Sequence, residues 1–306
     1  MDARPPVNAR PHLMIDCASL AYRAYHAVPT IKAPDGTEVN AAYGFLNFLS
    51  RLVADRRPGL LHVALDADWR PEFRVAALPT YKTHRVAGPE DPPDPVDPQM
   101  RIIVELLGAI GISTAASDGL EAEDVIATLA ARETGPVEVV TGDRDLFALV
   151  ADPKIVVLYT LRGVTELARV DAAWVANKYG IPGDRYLDYA IMRGDPSDGL
   201  PGVAGIGEKT ASELLRKYGS LDGILAATDL SPAVGARLRR AADYLVAARR
   251  VVAMVRDAPV VAGDGALPPR PRDPERVRAL GERYALTGAL DRVATALAGL
   301  APAVAT

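Results

Sequence analysis

The chain is expected to be an α/β protein, a mostly parallel sheet with flanking helices, followed by a smaller helical region. Three observations predict this. Short apolar strands alternate with segments of helical period, aspartates stand where three of those strands end, and strand signals fade after Trp174.

In chain order, HLMI (His12 to Ile15) is a short apolar strand that stops at Asp16, and a helix begins near Ser19. AAYGFLNFLSRLVADR has helical period, LLHVALDAD is a strand ending at Asp66, and MRIIVELLGAIG and EDVIATLAARETG are helices. VEVVTGDRDLFALV reads as strand, turn and helix, and KIVVLYT as a further strand. Asp16, Asp66 and Asp143 therefore sit at or just beyond the carboxyl ends of strands, the edge at which open α/β sheets bind ligands. DAAWVANKYG, KTASELLRKYG and one long ARLRRAADYLVAARRVVAMVRD are helical, so a boundary near 175 divides a core, 1–174, from a helical region, 175–306. The stretch Ala87 to Met100, dense in proline and acid, is expected to be extended or mobile. Beyond Asp257 a Pro/Gly-rich stretch leads to a last helical segment and an alanine-rich tail.

Composition narrows the function. With 306 residues and 49 % hydrophobic content the chain can bury a substantial core, yet no apolar run approaches the roughly 20 residues of a membrane span. The first residues lack the apolar core of a secretory signal. One cysteine, Cys17, excludes an intrachain disulfide and a thiolate zinc cluster, which fits a reducing cytoplasm. A net charge of −4 looks wrong for a nucleic-acid binder. The objection weakens if many carboxylates are committed to cations, each of which restores two positive charges.

Five places carry clustered acids: Asp16; Asp66 with Asp68; Glu121, Glu123 and Asp124 in GLEAEDV; Asp143 and Asp145 in TGDRDL; Asp195 and Asp198 in GDPSDGLPG. Singly each has a bland explanation. Asp16 and Asp143 can cap helices, the 121–124 acids meet the positive end of a helix, and Asp195 and Asp198 lie among turn residues. Jointly they are harder to explain away, because the topology brings at least three groups to one sheet edge, where like charges repel and divalent cations relieve the repulsion. Oxygen ligands alone favour Mg²⁺, Mn²⁺ or Ca²⁺ over zinc, and the four histidines, His12, His26, His62 and His84, show no ligand spacing. Two such ions about 4 Å apart can activate a water and stabilise the leaving oxygen in phosphodiester hydrolysis.

Basic and backbone elements point the same way. EFRVAALPTYKTHR carries Arg74, Tyr81, Lys82 and Arg85; Lys82 and Arg85 can project toward a phosphate and Tyr81 offers a ring for a base, beside a proline-rich gate. In LPGVAGIGEKTASELL, glycines at 202, 205 and 207 permit a tight hairpin whose amides lead into a helix N-terminus and can bind phosphate oxygens. Lys209 and Thr210 follow at once.

In this order, LMIDCASLAYRAYHA, VALDADWRPEFR, YKTHR, GLEAEDV, TGDRDLFALV and GDPSDGLPGVAGIGEKTA resemble the 5′ nuclease domains of bacterial DNA polymerase I and the wider flap endonuclease family, from about His12 to near residue 290. With no polymerase domain following, the chain looks like a stand-alone 5′-3′ exonuclease. The resemblance implies a PIN-like core with a helical arch at about 79–100 and a helix-three-turn-helix module at about 186–220. It implies one ion group at Asp16, Asp66, Glu121, Glu123 and Asp124, and a second at Asp143, Asp145, Asp195 and Asp198, with Asp143 near both. It makes Lys82, Arg85 and Asp143 the catalytic candidates. It assigns DNA contacts to Arg23, Arg74, Tyr81, Lys82, Arg85, Gly205, Gly207, Lys209 and Thr210, and main-chain K⁺ ligands to Val203 and Ile206. Cofactors would be two or more Mg²⁺ or Mn²⁺ ions, with K⁺ at the hairpin. The implied partner is DNA with 5′ ends, flaps or nicks, including RNA primers in hybrids, met by a monomer on the bacterial nucleoid that cooperates with a polymerase and a ligase. Three positions depart from the family: Glu123 where aspartate is usual, Cys17 where glycine is usual, and Gly199 where asparagine is frequent, which is expected to loosen that turn. A PIN-type ribonuclease would share the acidic core without needing the hairpin, and a silent junction binder would gain nothing from acids facing phosphates.

Overall fold

A computed structural model describes residues 10–88, 90–162 and 165–300. The N-terminal segment and the alanine-rich tail considered above lie largely outside them.

The first strand, β1 (His12–Asp16), is buried throughout, as a central parallel strand must be. It runs straight into α1 (Cys17–Ala27), whose first turn Asp16 caps by accepting the Ser19 amide at 3.1 Å. α2 (Asn40–Arg56) buries Phe45, Leu46, Leu49, Leu52 and Val53 at helical spacing. β2 (Leu60–Ala64) returns beside β1, and a short helix α3 (Glu72–Ala77) follows. The segment expected as an arch holds, among its described residues, one 3₁₀ turn at Thr83–Arg85 and the start of α4 (Asp97–Ile110). α4 begins three residues before Met100, with Pro98 in its first turn, where a missing N–H costs nothing. β3 (Ser113–Ala116), α5 (Ala122–Arg132), β4 (Val137–Thr141), β5 (Ile155–Arg162) and β6 (Glu166–Val170) complete the main sheet run.

The second region comprises α6 (Ala172–Tyr179), α7 (Tyr186–Arg193), α8 (Glu208–Tyr218), α9 (Leu221–Ala226), α10 (Pro232–Arg240) and α11 (Ala242–Val252). The expected single long helix is two, broken at Ala241, where the backbone leaves helical geometry at φ −93° and ψ 10°. The chain then rejoins the core: β7 (Val261–Ala262) pairs with β3, and α12 (Pro274–Arg283) and α13 (Thr287–Ala298) pack on α4 and α2.

The sheet order is β6-β5-β4-β1-β2-β3-β7, parallel in the centre and antiparallel at both edges. Side-chain alternation splits the interior. Leu13, Ile15, Val140 and Leu158 join α1, α2, α4 and α13 on one face, whereas Met14, Val139 and Val157 join α5 and the second region's helices on the other. Between β1 and β4 the strand order reverses, and a crevice opens there at the carboxyl edge.

Candidate metal and nucleic-acid site

At that crevice lies a groove of about 2240 Å³ whose walls include Asp16, Asp66, Glu121, Glu123, Asp143 and Asp195. Local hydrogen bonds from neighbouring groups aim the aspartates. Asp16 caps α1 with Oδ1 and accepts the Thr141 hydroxyl on Oδ2 at 2.7 Å. Asp66 Oδ1 accepts the Ala122 amide at 2.8 Å, Asp143 Oδ1 the Asp145 amide at 2.9 Å, and Asp195 Oδ1 the Ser197 amide at 3.0 Å. Capping and site-building are therefore the same geometry, and the bland and functional readings of these aspartates hold together. Asp68 is spent locally on the Arg70 amide at 2.9 Å.

Crowding shows in the acidities. Burial, then the neighbouring Asp66, push the Asp16 carboxyl up to about 7. Burial and Asp198 raise Asp143, and burial, Asp143, Asp198 and Glu123 hold Asp145 well above the carboxylate range. Burial also raises Asp66. Oxygens of Glu121, Glu123 and Asp124 come within 4.8 Å of one another. A buried, repelling, all-oxygen donor set fits hard divalent cations.

Among these acids sit two buried cations, and one corrects an expectation. Arg74 was expected on DNA; it is fully buried. Its guanidinium binds Asp124 in a bidentate fork at 2.8 and 2.9 Å, pairs with Glu121 and, at 2.9 Å, with Glu123, and donates to the Val251 carbonyl at 2.8 Å. Burial opposes its charge, and the three acids more than offset that. Tyr81, expected to stack on a base, is 1 % exposed and donates its hydroxyl to Glu121 at 2.8 Å. Both fail as DNA contacts for one reason: the acids at 121–124 need internal donors once the helix carrying them is buried. Asp124 also accepts the Val255 and Glu121 amides and is 0 % exposed, whereas Glu121 and Glu123 keep positions on the groove wall.

Lys82 is the second cation. Its backbone is left-handed at φ 48°, its ammonium pairs with Glu121, and it lines the groove. Burial works against its charge, and Glu121, Asp198 and Glu123 outweigh it. Arg85 donates to the Ser197 carbonyl at 2.7 Å and lies 3.5 Å from Asp198. The base of the strap, the segment at about 79–100 expected as an arch, is thereby tied to the 195–199 loop, with Lys82 N–H on the Asp198 carbonyl at 3.1 Å and the Thr80 hydroxyl on the Gly199 carbonyl at 3.0 Å. Gly199, expected to loosen this turn, is what permits it: φ is +73°, and a Cβ there would fall 2.1 Å from the Thr80 carbonyl oxygen. Cys17, another of the three departures, is simply buried in the core.

Arginines that the sequence left unremarked complete the wall. Arg101, Arg144, Arg162 and Arg193 line the groove with the expected Arg23 and Arg85, so a basic surface coexists with a negative net charge. Arg23 lies against Gly142, next to Asp143, where a Cβ would meet its guanidinium at 2.8 Å. At the second region, Gly202 and Gly205 take φ +75° and +80°, the Ile206 amide closes the turn on the Val203 carbonyl at 2.8 Å, and Gly207 caps α8. Lys209 is exposed and Thr210 half-buried beside it. Arg237 of α10, also unforeseen, donates to the Gly205 carbonyl at 3.0 Å and braces the hairpin.

A ligand set that binds protons in the metal-free protein must release them to bind an ion. Because Asp16 is raised to about 7, the folded protein holds a proton there that the unfolded chain gives up, and this contribution to stability is lost as pH climbs from the ordinary carboxylate range toward 7. Saturating Mg²⁺ should therefore raise the melting temperature more at about pH 8 than at about pH 5.5. Differential scanning fluorimetry with and without EDTA measures this; equal gains at both values would refute it.

Among the described residues no helix is long and apolar enough to cross a membrane. Residues 11–180 match the family described as "5'-3' exonuclease, N-terminal resolvase-like domain", and residues 181–275 match "5'-3' exonuclease, C-terminal SAM fold". The chain is 50 % identical over 299 residues to a 5'-3' exonuclease of Streptomyces coelicolor, covering 93 % of this chain and 99 % of that protein. It is 44 % identical over 310 residues to a 5'-3' exonuclease of Mycobacterium tuberculosis, covering 94 % and 98 %. DNA polymerase I of Mycobacterium bovis is 39 % identical over 95 % of this chain, which spans 32 % of that protein. In fold the chain is similar to a bacteriophage T5 flap endonuclease solved with DNA and metal ions, with a TM-score of 0.63, 17 % identity and coverage of 95 % of this chain and 99 % of that one. With matched domains over nearly its whole described length and relatives at this identity, the chain belongs to the 5′-3′ exonuclease family.

Proposed function

We propose that this chain is a divalent-metal-dependent, structure-specific 5′ nuclease that hydrolyses DNA phosphodiester bonds at 5′ ends and flaps. The observation that carries this reading is the convergence of Asp16, Asp66, Glu123, Asp143 and Asp195 on one groove that also holds the Lys82 ammonium and a wall of arginines. Mg²⁺ or Mn²⁺ held by these carboxylates would supply the positive charge that activates a water and stabilises the leaving oxygen. Asp16, Asp66, Glu121 and Glu123 form one donor group, and Asp143, Asp145, Asp195 and Asp198 the other, with Asp124 aligning the first through Arg74. Lys82, kept charged by its acids, and Arg85 neutralise the incoming phosphate, while Asp143 faces both groups. The hairpin amides at Gly205 and Gly207, with Lys209 and Thr210, hold duplex backbone away from the chemistry. The Val203 carbonyl, which keeps a lone pair beyond its turn bond, and the Ile206 carbonyl are donors for K⁺. On this reading a monomer clears DNA flaps and RNA primers on the bacterial nucleoid, alongside a polymerase and a ligase.

The test is direct. Purified protein with a 5′-labelled flap duplex should release short 5′ products in Mg²⁺ or Mn²⁺ and none in EDTA. Cleavage that persists in EDTA, or no cleavage with either ion, would overturn the proposal, and turnover of RNA hairpins in preference to DNA flaps would move it to a ribonuclease.

A further inference from the structure

Trp69 has no place in the chemistry above, yet it is 43 % exposed on the wall of the same groove. It lies three residues beyond Asp66, in the loop from β2 to α3. That loop is not free to swing. The Arg70 guanidinium donates to the Tyr81 carbonyl at 2.7 Å and the Pro79 carbonyl at 3.1 Å, so the indole is carried on a segment stapled to the base of the strap. Ala87 and Pro93 of the strap line the groove with it, and so do Lys82 and Arg85.

An exposed aromatic face on an anchored loop, in a groove that also holds cations, is the chemistry of a single-stranded nucleotide, whose base stacks while its phosphate is neutralised. Bases inside a duplex offer no free face; an unpaired one does. We infer that Trp69 is a stacking platform for the unpaired 5′ arm of the substrate and makes the enzyme prefer 5′ ends that carry such an arm. Trp69 is a specificity residue on this view and takes no part in bond breaking. The inference rests on the reading of the chain as a 5′ nuclease.

Wild type, Trp69→Ala and Trp69→Phe are compared on a duplex with a single-stranded 5′ flap and on the same duplex nicked without a flap. The ratio of kcat/KM for flap over nick should fall about tenfold in Trp69→Ala, mainly through KM for the flap, and Trp69→Phe should recover most of it. In EDTA, a 5′-flap duplex should quench the fluorescence of a Trp174→Phe protein, in which Trp69 is the only indole, and the nicked duplex should quench it much less. An unchanged ratio in Trp69→Ala, a Trp69→Phe that falls as far as Trp69→Ala, or equal quenching by the two duplexes overturns the inference while leaving the nuclease reading standing. A wild type that cuts neither substrate overturns both.

Discussion

Replacing Asp143 with asparagine should lower kcat on a 5′-flap duplex by about a thousandfold or more while leaving the protein folded. The substitution is nearly isosteric, and the local frame survives it: the residue's amide still donates to the Thr141 hydroxyl at 2.8 Å, and an amide oxygen can accept the Asp145 amide as Oδ1 does now at 2.9 Å. What disappears is charge at an acid that feels both donor groups, repelled by Asp198 and itself repelling Asp16 and Asp145. Removing one member of a repelling set relieves the rest, so the metal-free variant should melt no lower than wild type, and its stabilisation by Mg²⁺ should shrink. Single-turnover cleavage and melting with and without Mg²⁺ separate these effects. Retention of more than about a tenth of the activity would remove Asp143 from the chemistry, and a melting temperature well below wild type in EDTA would mean that the loss of activity reflects misfolding.

The carboxyl-edge aspartates were legible in the sequence because β1 and β4 are short, apolar-rich and buried throughout, with Asp16 closing β1 and Asp143 two residues beyond β4, and strand ends are easy to see when both faces are buried. β3, β6 and β7 were not. STAA has little apolar content, ELARV lies at an edge with only its last residue buried, and a two-residue strand has no periodicity to detect. The return of β7 and α13 to the core was hidden for a related reason: pairing between Val261 and Ala116, or packing of Leu290 on α2, is a long-range choice that no local window contains. The arginine wall was partly hidden because an Arg-rich composition makes each arginine uninformative by itself, and only the fold separates Arg144 and Arg193, which line the groove, from Arg74, which does not. A signal for Arg74 was present all the same. It lies in EFRVAA, beside Phe73, Val75 and two alanines, and GLEAEDV downstream carries more acid than a buried helix start can hold unpaired.

Arg74→Ala accordingly tests a structural role against a DNA-binding one. A solvent-facing phosphate contact would lose affinity and leave the melting temperature alone. The structure demands the reverse. Truncation leaves Glu121, Glu123 and Asp124 buried without their guanidinium and cuts the tie between α3, α5 and the Val251 carbonyl at the end of α11. Breaking a buried ion pair costs about 3–5 kcal/mol, and with three acids stranded the variant should fall at the upper end of that range, lowering the melting temperature by roughly 10 °C or more. Arg74→Lys keeps a charge but cannot reproduce the fork on Asp124, so it should recover only part of the loss. Saturating Mg²⁺ should recover more of the alanine variant's stability than of wild type's, because a divalent ion can take over part of the neutralisation that Arg74 provides. Thermal melting with and without Mg²⁺, paired with flap affinity measured well below the transition, decides the matter. If Arg74→Ala melts within about a degree of wild type and binds DNA several-fold more weakly, the buried network does not exist in solution and Arg74 belongs to the DNA surface after all.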